Sequence, residues 1–170
     1  MLTGGSPTMH PKLVNELTHF AHENNIFITI ETEGSHFLPT DYPINLLSIS
    51  PKFSNSVPVV GVLTPQGDVT TAKMVKTHNR LRCNWDAIKQ SIAYHSDFHL
   101  KPVWDGEDQE ALKEIMDAIA ALDISPEKVW FMPAGDTREA LQISYPKMFD
   151  WVRDNGYRLT WRPHIIAFQD

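Results

Sequence analysis

The sequence predicts an α/β fold with a mostly parallel sheet, and three observations carry that expectation. Short, β-branched apolar runs alternate with longer segments in which apolar residues recur at helical spacing. The runs are apolar at consecutive positions, as in strands covered by helices on both faces. Several of them end in small polar motifs, where sheets of this kind bind their ligands.

The first helix begins at Pro11, where a missing N–H costs nothing. It carries Leu13, Leu17, Phe20 and Ala21 on one face and stops at Asn24-Asn25. Strands follow at 26–30 and 44–49, separated by a loop that Pro39 and Pro43 mark. Residues 57–63 and 69–75, about the turn Thr64-Pro65-Gln66-Gly67-Asp68, predict a β-hairpin laid over the body. A helix follows Asn84 with Trp85, Ile88, Ile92 and Ala93 on one face, and a strand over 98–104 is weakened by Pro102. The strongest helical stripe is Leu112, Ile115, Met116, Ile119 and Leu122; the strand 129–132 comes after it. Asp136, with Glu139 three residues on, has the logic of a capping box. The helix it opens runs to Asn155-Gly156, with Pro146 as a kink. Runs at 157–161 and 165–168 close the chain.

The 170 residues suit a single domain, 1–170, and 42% apolar with 21% charged residues is an ordinary globular balance. Fifteen Lys and Arg against 21 Asp and Glu give a net charge of −6, without the basic footprint of a nucleic-acid binder. No apolar run is long enough to span a membrane, and no signal-peptide pattern opens the chain. A cytoplasmic protein acting on a small molecule is the expectation. Cys83 is the one cysteine, so neither an internal disulfide nor an iron–sulfur cluster can be built from this chain's thiols.

The strand-end motifs carry the chemistry. Thr3-Gly4-Gly5-Ser6-Pro7 precedes the first helix, and paired glycines let a backbone approach a ligand closely. Glu31-Thr32-Glu33-Gly34-Ser35 offers two carboxylates beside a glycine turn, and Ser50-Pro51-Lys52 offers a hydroxyl and an ammonium. Met132-Pro133-Ala134-Gly135 leads into a helix N-terminus, and His164 follows in Arg162-Pro163-His164. Taken singly, these read as a tight turn, a polar loop, a surface lysine, an ordinary strand-to-helix turn and a structural histidine. Cys83 has no base nearby in sequence and gives no support to nucleophilic catalysis.

Their order is more specific than any one of them. TGGSP, IETEGS, SISPKFSN, LKPVWDG, WFMPAGDTRE and RPHIIAF, in that sequence, resemble the carboxyl-terminal three-quarters of 7-carboxy-7-deazaguanine synthase, a radical S-adenosylmethionine enzyme of the queuosine pathway. The resemblance implies a partial (β/α) barrel, here without its first strands and with the hairpin 57–75 inserted. It implies conversion of 6-carboxy-5,6,7,8-tetrahydropterin to 7-carboxy-7-deazaguanine by radical ring contraction, with S-adenosylmethionine, a 4Fe-4S cluster and magnesium. By motif matching, Gly4, Gly5 and Ser6 meet the methionine amino group, Glu31 and Thr32 line the adenosyl site, Ser50 and Lys52 contact its ribose or carboxylate side, and His164 lies near the substrate. No catalytic residue and no metal ligand is assigned within this chain.

The departures matter equally. The family's CxxxCxxC motif and its magnesium-contacting threonine lie upstream of the point matching Thr3, and Ser6 stands where the usual motif, TGGEP, has glutamate. Binding of S-adenosylmethionine is therefore expected to be weakened. The chain alone is expected to be inactive, with the cluster and magnesium supplied only through a complementing amino-terminal segment. A homo-oligomer is the other expected assembly. The alternative expectation is a degenerate relative serving as a binding or interaction module.

Overall fold

The structure is a computed structural model and describes residues 1–64 and 67–168. Its regular elements are α1 (Pro11–Glu23), β1 (Thr29–Thr32), β2 (Leu46–Ile49), α2 (Ala72–Leu81), α3 (Trp85–Tyr94), β3 (Phe98–Leu100), β4 (Val103–Trp104), α4 (Gln109–Ala121), β5 (Trp130–Pro133), α5 (Arg138–Asp154), β6 (Arg158–Leu159) and α6 (Pro163–Phe168). All named strand pairs are parallel, in two sheets ordered β1-β2-β3 and β4-β5-β6. This is the α/β architecture that the alternating pattern predicts, compatible with a partial β/α fold.

Pro102 explains why there are two sheets. The predicted strand 98–104 is one line of chain broken at a residue with no N–H to donate. Its first half, β3, pairs with β2, and its second half, β4, pairs with β5. The break is sealed on both sides: Lys101 N–H donates to Ile49 O at 2.6 Å, and Met132 N–H to Pro102 O at 2.9 Å. A parallel bridge from Leu100 to Val129 joins the two sheets into one curved surface.

The core lies between this surface and the helices. Ile30, Leu47, Ile49, Leu100, Val129 and Phe131 from the strand surface are buried against Val14 of α1, Ile88 of α3, Ile115 and Ile119 of α4, and Met148 and Val152 of α5. Helix α4 buries the predicted stripe at Leu112, Ile115 and Ile119, with Leu122 just beyond its end. The Asp108 carboxylate caps it by accepting from the N–H groups of Glu110 and Ala111 at 3.0 and 2.9 Å.

Five local expectations are corrected. Helix α1 is rotated from the predicted face: Val14, Thr18 and Ala21 are buried, whereas Leu13 and Phe20 are 55% and 57% exposed. Asp41 pins that rotation by accepting from Asn15 at 2.8 Å and lying 2.6 Å from His19 Nε2, and Thr18 is buried with its hydroxyl donating to Asn15 O. The strand expected at 26–30 begins only at Thr29. Ile26 N–H closes the end of α1 on Ala21 O, and Ile28 N–H donates to the Asn45 side chain, so neither N–H enters a ladder and Ile28 meets β2 only through its carbonyl, which accepts from Leu46 N–H at 3.2 Å.

The hairpin 57–75 is shortened: its arms meet in one antiparallel bridge, Leu63 to Val69, and in backbone bonds from Gly61 N–H to Thr70 O and Thr70 N–H to Val62 O at 2.9 Å and from Thr64 N–H to Asp68 O at 2.7 Å, with Pro65 and Gln66 of its turn outside the described residues. Its second arm turns helical because Thr71 caps α2, the Thr71 hydroxyl accepting from Met74 N–H at 3.3 Å ahead of the helix formers Ala72, Lys73 and Met74. Val59, Val60, Val62, Leu63 and Val69 are each more than half exposed, so this excursion does not lie over the body. The cap of α5 is Thr137, one residue after Asp136, accepting from Ala140 N–H at 3.2 Å. The run 165–168 belongs to α6, opened by Pro163, and not to a strand. No helix among the described residues is long and apolar enough to cross a membrane.

Candidate functional site

Parallel pairing sends every strand the same way, so the residues after β1, β2, β3 and β5 gather at one edge. Thr3 to Ser6 joins them. Leu2 makes a parallel bridge to Ile30, donating to Thr29 O at 2.8 Å and accepting from Glu31 N–H at 2.9 Å. The Gly-Gly turn then emerges beside Glu31. Gly4 and Gly5 take φ of +88° and +57°, and a Cβ at either would meet no heavy atom within 4 Å. Both features leave their backbone open to a ligand.

Two carboxylates face this turn. Glu31 accepts from the Thr3 hydroxyl at 3.1 Å and is ion-paired with Lys101, the residue following β3. Burial alone would raise the Glu31 carboxyl; the Lys101 hydrogen bond and charge, with Thr3 and Lys52, hold it below its ordinary value. Glu33 accepts from Ser6 at 3.0 Å and from Ser35. Burial again opposes ionisation there, and the two hydroxyls with the charge of Lys52 prevail and lower the pKa. Both groups are carboxylates at neutral pH.

Lys52, after β2, is half-buried, and its ammonium makes no hydrogen bond or ion pair among the described residues. Burial lowers its pKa; the charges of Glu33 and Glu31 pull the other way, and those of Arg162 and Lys101 add to the lowering. A charged, desolvated amine near two occupied carboxylates is a free partner for an anion. It also lines a cavity of about 430 Å³ with Asn55, Ser56, His78, Ala134 and Arg162.

Of the sequence-predicted residues, Gly4, Gly5, Ser6, Glu31 and Lys52 meet at this edge. Thr32 and Ser50 lie there too, but their hydroxyls are engaged: Thr32 accepts from Gly34 N–H at 3.1 Å, and Ser50 donates to Lys101 O at 3.2 Å. His164 stands on an exposed face of α6. Its neighbour Arg162 lines the cavity instead, held by Met132 Sδ at 3.2 Å and by Gly135 O. Sequence reasoning gave no role to Lys101, His78 or Arg162. Glu33 was visible in the motif, but nothing in the sequence said that it, and not Glu31, would bond Ser6.

A second, mostly apolar cavity of about 470 Å³ lies on the other side of Arg162, lined by Arg138, Leu141, Tyr145, Trp161 and Ile166. The Tyr145 and Trp161 rings are 4.4 Å apart. Cys83 belongs to neither cavity. Its thiol donates to Lys52 O at 3.4 Å and burial, as the main cause, pushes its pKa up to about 11, so it is no nucleophile at neutral pH. Among the described residues no cluster of three or more His, Cys, Asp or Glu could hold a metal ion.

A glycine turn, ionised carboxylates and a lysine unpaired among the described residues, gathered at the carboxyl edge of a parallel α/β sheet, make this edge the candidate site, since sheets of this class bind small molecules at their strand ends. No family model matches the chain, and no solved structure matches it. Over its whole length it is similar to 7-carboxy-7-deazaguanine synthases, the enzymes its motifs resemble. It is 31% identical to the synthase of Halobacterium salinarum over 174 aligned positions, which take in 100% of this chain and 65% of that protein. It is 28% identical to the synthase of Rhodopirellula baltica over 168 positions, 99% of this chain and 60% of that protein. The chain thus spans less than two thirds of either relative, and less than the three-quarters its motifs suggest.

Proposed function

We propose that this chain supplies the S-adenosylmethionine and pterin sites of a 7-carboxy-7-deazaguanine synthase, acting with a segment that brings the cluster-binding cysteines. The observation that carries this reading is the strand-end pair of Glu33, an ionised carboxylate, and Lys52, an ammonium unpaired among the described residues, beside the open backbone of Gly4 and Gly5. An amino-acid zwitterion needs one group of each sign, and these residues fit it.

When bound, S-adenosylmethionine supplies the adenosyl group that the family's chemistry requires. Glu33 accepts hydrogen bonds from the ligand's ammonium, so the carboxylate missing at Ser6 is provided one hydrogen bond away, 3.0 Å from the Ser6 oxygen. Lys52 meets the ligand's carboxylate, and the carbonyl groups of Gly4 and Gly5 orient the amino end. Glu31, locked by Lys101 and Thr3, shapes the adenosyl side without changing protonation. The cavity that Tyr145 and Trp161 line accepts the flat pterin ring, with Arg138 and Arg162 on its wall to meet the pterin carboxylate. A four-iron cluster needs several thiolates and this chain has one protonated thiol, so no step here is derived through the cluster.

The test has two stages. Calorimetric titration with S-adenosylmethionine should show binding that Glu33→Gln and Lys52→Met each weaken roughly tenfold, the scale for removing one charged hydrogen-bond partner. Anaerobic reconstitution with an amino-terminal segment bearing CxxxCxxC, iron, sulfide and a reductant should then release 5′-deoxyadenosine. The alternative reading, a binding module without chemistry, has the single protonated Cys83 in its favour. Binding without cleavage in the reconstituted mixture would select it.

A further inference from the structure

Residues 58–82 stand apart from the rest of the chain in both packing and charge. Helix α2 buries no residue, and the arm before it leaves Val59, Val60, Val62 and Leu63 each more than half exposed. A helix of only 10 residues is marginal unless it packs against something. Lys73, Lys76, Arg80 and Arg82 fall within 69–85, a stretch holding no Asp or Glu, which leaves 11 Lys and Arg against 21 Asp and Glu elsewhere. Arg82 is paired with Glu114, whereas Lys73, Lys76 and Arg80 are exposed and have no ion pair among the described residues.

Those three cations, at positions i, i+3 and i+7, form one stripe about 10 Å long. Helix stability does not account for it, because Lys73 lies in the first turn, where a positive charge opposes the helix dipole. The stripe borders the aliphatic arm. Gly61 N–H donates to Thr70 O at 2.9 Å just ahead of α2, and Lys73 and Met74 line an open, mostly apolar groove of about 560 Å³ with Pro58.

A positive stripe on an otherwise acidic chain is complementary to an anionic partner, and the aliphatic residues beside it narrow the class. Between Val57 and Asn84 there is no Phe, Tyr or Trp to stack on nucleic-acid bases. An acidic protein groove takes its apolar anchors from the helix itself, but here the exposed aliphatics lie mainly on the arm. A lipid surface takes both groups, the cations at its headgroups and the aliphatics at the acyl boundary. We propose that the arm 58–63 and helix α2 form a docking surface for an anionic lipid bilayer.

Co-sedimentation of the purified chain with vesicles tests this, using phosphatidylcholine alone and phosphatidylcholine with about 30% phosphatidylserine, at about 0.1 M salt. Binding is expected on the anionic vesicles and not on the neutral ones. Lys73→Gln, Lys76→Gln and Arg80→Gln combined should weaken it roughly a hundredfold, about fivefold for each cation. Salt at about 0.5 M should weaken wild-type binding too. Val60→Ser with Leu63→Ser should weaken binding while leaving its salt dependence in place. All five positions are exposed, and circular dichroism verifies that the variants fold. No binding to anionic vesicles, equal binding to neutral ones, or binding that the Gln variant retains would overturn the proposal. So would capture of an oligonucleotide in place of vesicles, which assigns the stripe to nucleic acid. A dimer in sedimentation velocity that Leu63→Ser dissociates, with no vesicle binding, would overturn it in favour of a second copy of this chain.

Discussion

Restoring glutamate at position 6, the residue of the usual TGGEP motif, should weaken this chain and not improve it. The Ser6 hydroxyl lies 3.0 Å from Glu33 Oε1 and donates to it. A glutamate there brings a second carboxylate to within about 4 Å, where two like charges repel by about 4 kcal/mol at an effective dielectric constant of about 20. Both positions are partly open to solvent, which screens the repulsion to about 1–2 kcal/mol. Losing the hydrogen bond to a charged acceptor adds about 1.5 kcal/mol. The sum is about 3 kcal/mol, and at about 2–4 °C per kcal/mol for a domain of this size the melting temperature of Ser6→Glu should fall by about 6–12 °C. Ser6→Ala, which loses only the hydrogen bond, should fall by about half as much.

Proton linkage separates the two contributions. The Glu33 carboxyl is held below its ordinary value, so its stabilising interactions are present at and above about pH 4.5 and are lost as pH falls through the folded-state pKa. The added repulsion needs both carboxylates ionised, and the new carboxyl, crowded by Glu33, takes up a proton first. The difference between Ser6→Glu and Ser6→Ala should therefore be largest near pH 7.5 and shrink toward pH 4.5. Thermal unfolding followed by circular dichroism at both pH values measures it. A Ser6→Glu variant at least as stable as Ser6→Ala at pH 7.5 would refute the reasoning, as would a difference that does not respond to pH.

Three further outcomes follow from single buried features. His95 Nδ1 accepts from Ile44 N–H at 3.2 Å, and burial holds the imidazole at about 4, so stability should fall as pH drops from about 6.5 toward 4; His95→Asn, which keeps an acceptor, should flatten that slope in denaturant titrations. The Cys83 thiol, raised from 9.0 to about 11, should react with iodoacetamide at pH 8 roughly a hundredfold more slowly in the folded chain than in urea, and equal rates would remove the burial argument. Gly34 has φ of +79° and a Cβ there would lie 2.8 Å from Ile88 Cγ1, so Gly34→Ala should cost about 2 kcal/mol or more of unfolding free energy, read from the shift in urea midpoint.

What the sequence made legible was local. The α4 stripe, the proline start of α1 and the polar strand ends each depend on residues within a turn or two of one another, and all three stand in the structure. The misreadings have distant causes. Leu13 and Phe20 carry the right spacing for a buried face, but Asp41, 26 residues from Asn15, sets the rotation of α1. The arm at 69–75 has β-branched residues, but one capping threonine with Ala72, Lys73 and Met74 behind it outweighs them. The site divides in the same way. Gly4, Gly5, Ser6, Glu31 and Lys52 sit in motifs whose chemistry shows in their residue types. Lys101 reaches Glu31 only because β2 pairs with both β1 and β3, setting Glu31 opposite Ser48 and Ser48 opposite His99. Such a register fixes which side chains share a face, and a slip of one residue would separate Lys101 from Glu31. His78 and Arg162 enter from α2 and from the segment between β6 and α6, whose placement no local pattern encodes. A reading by motif thus recovers the groups that a strand end must present, while their partners depend on how the strands pair.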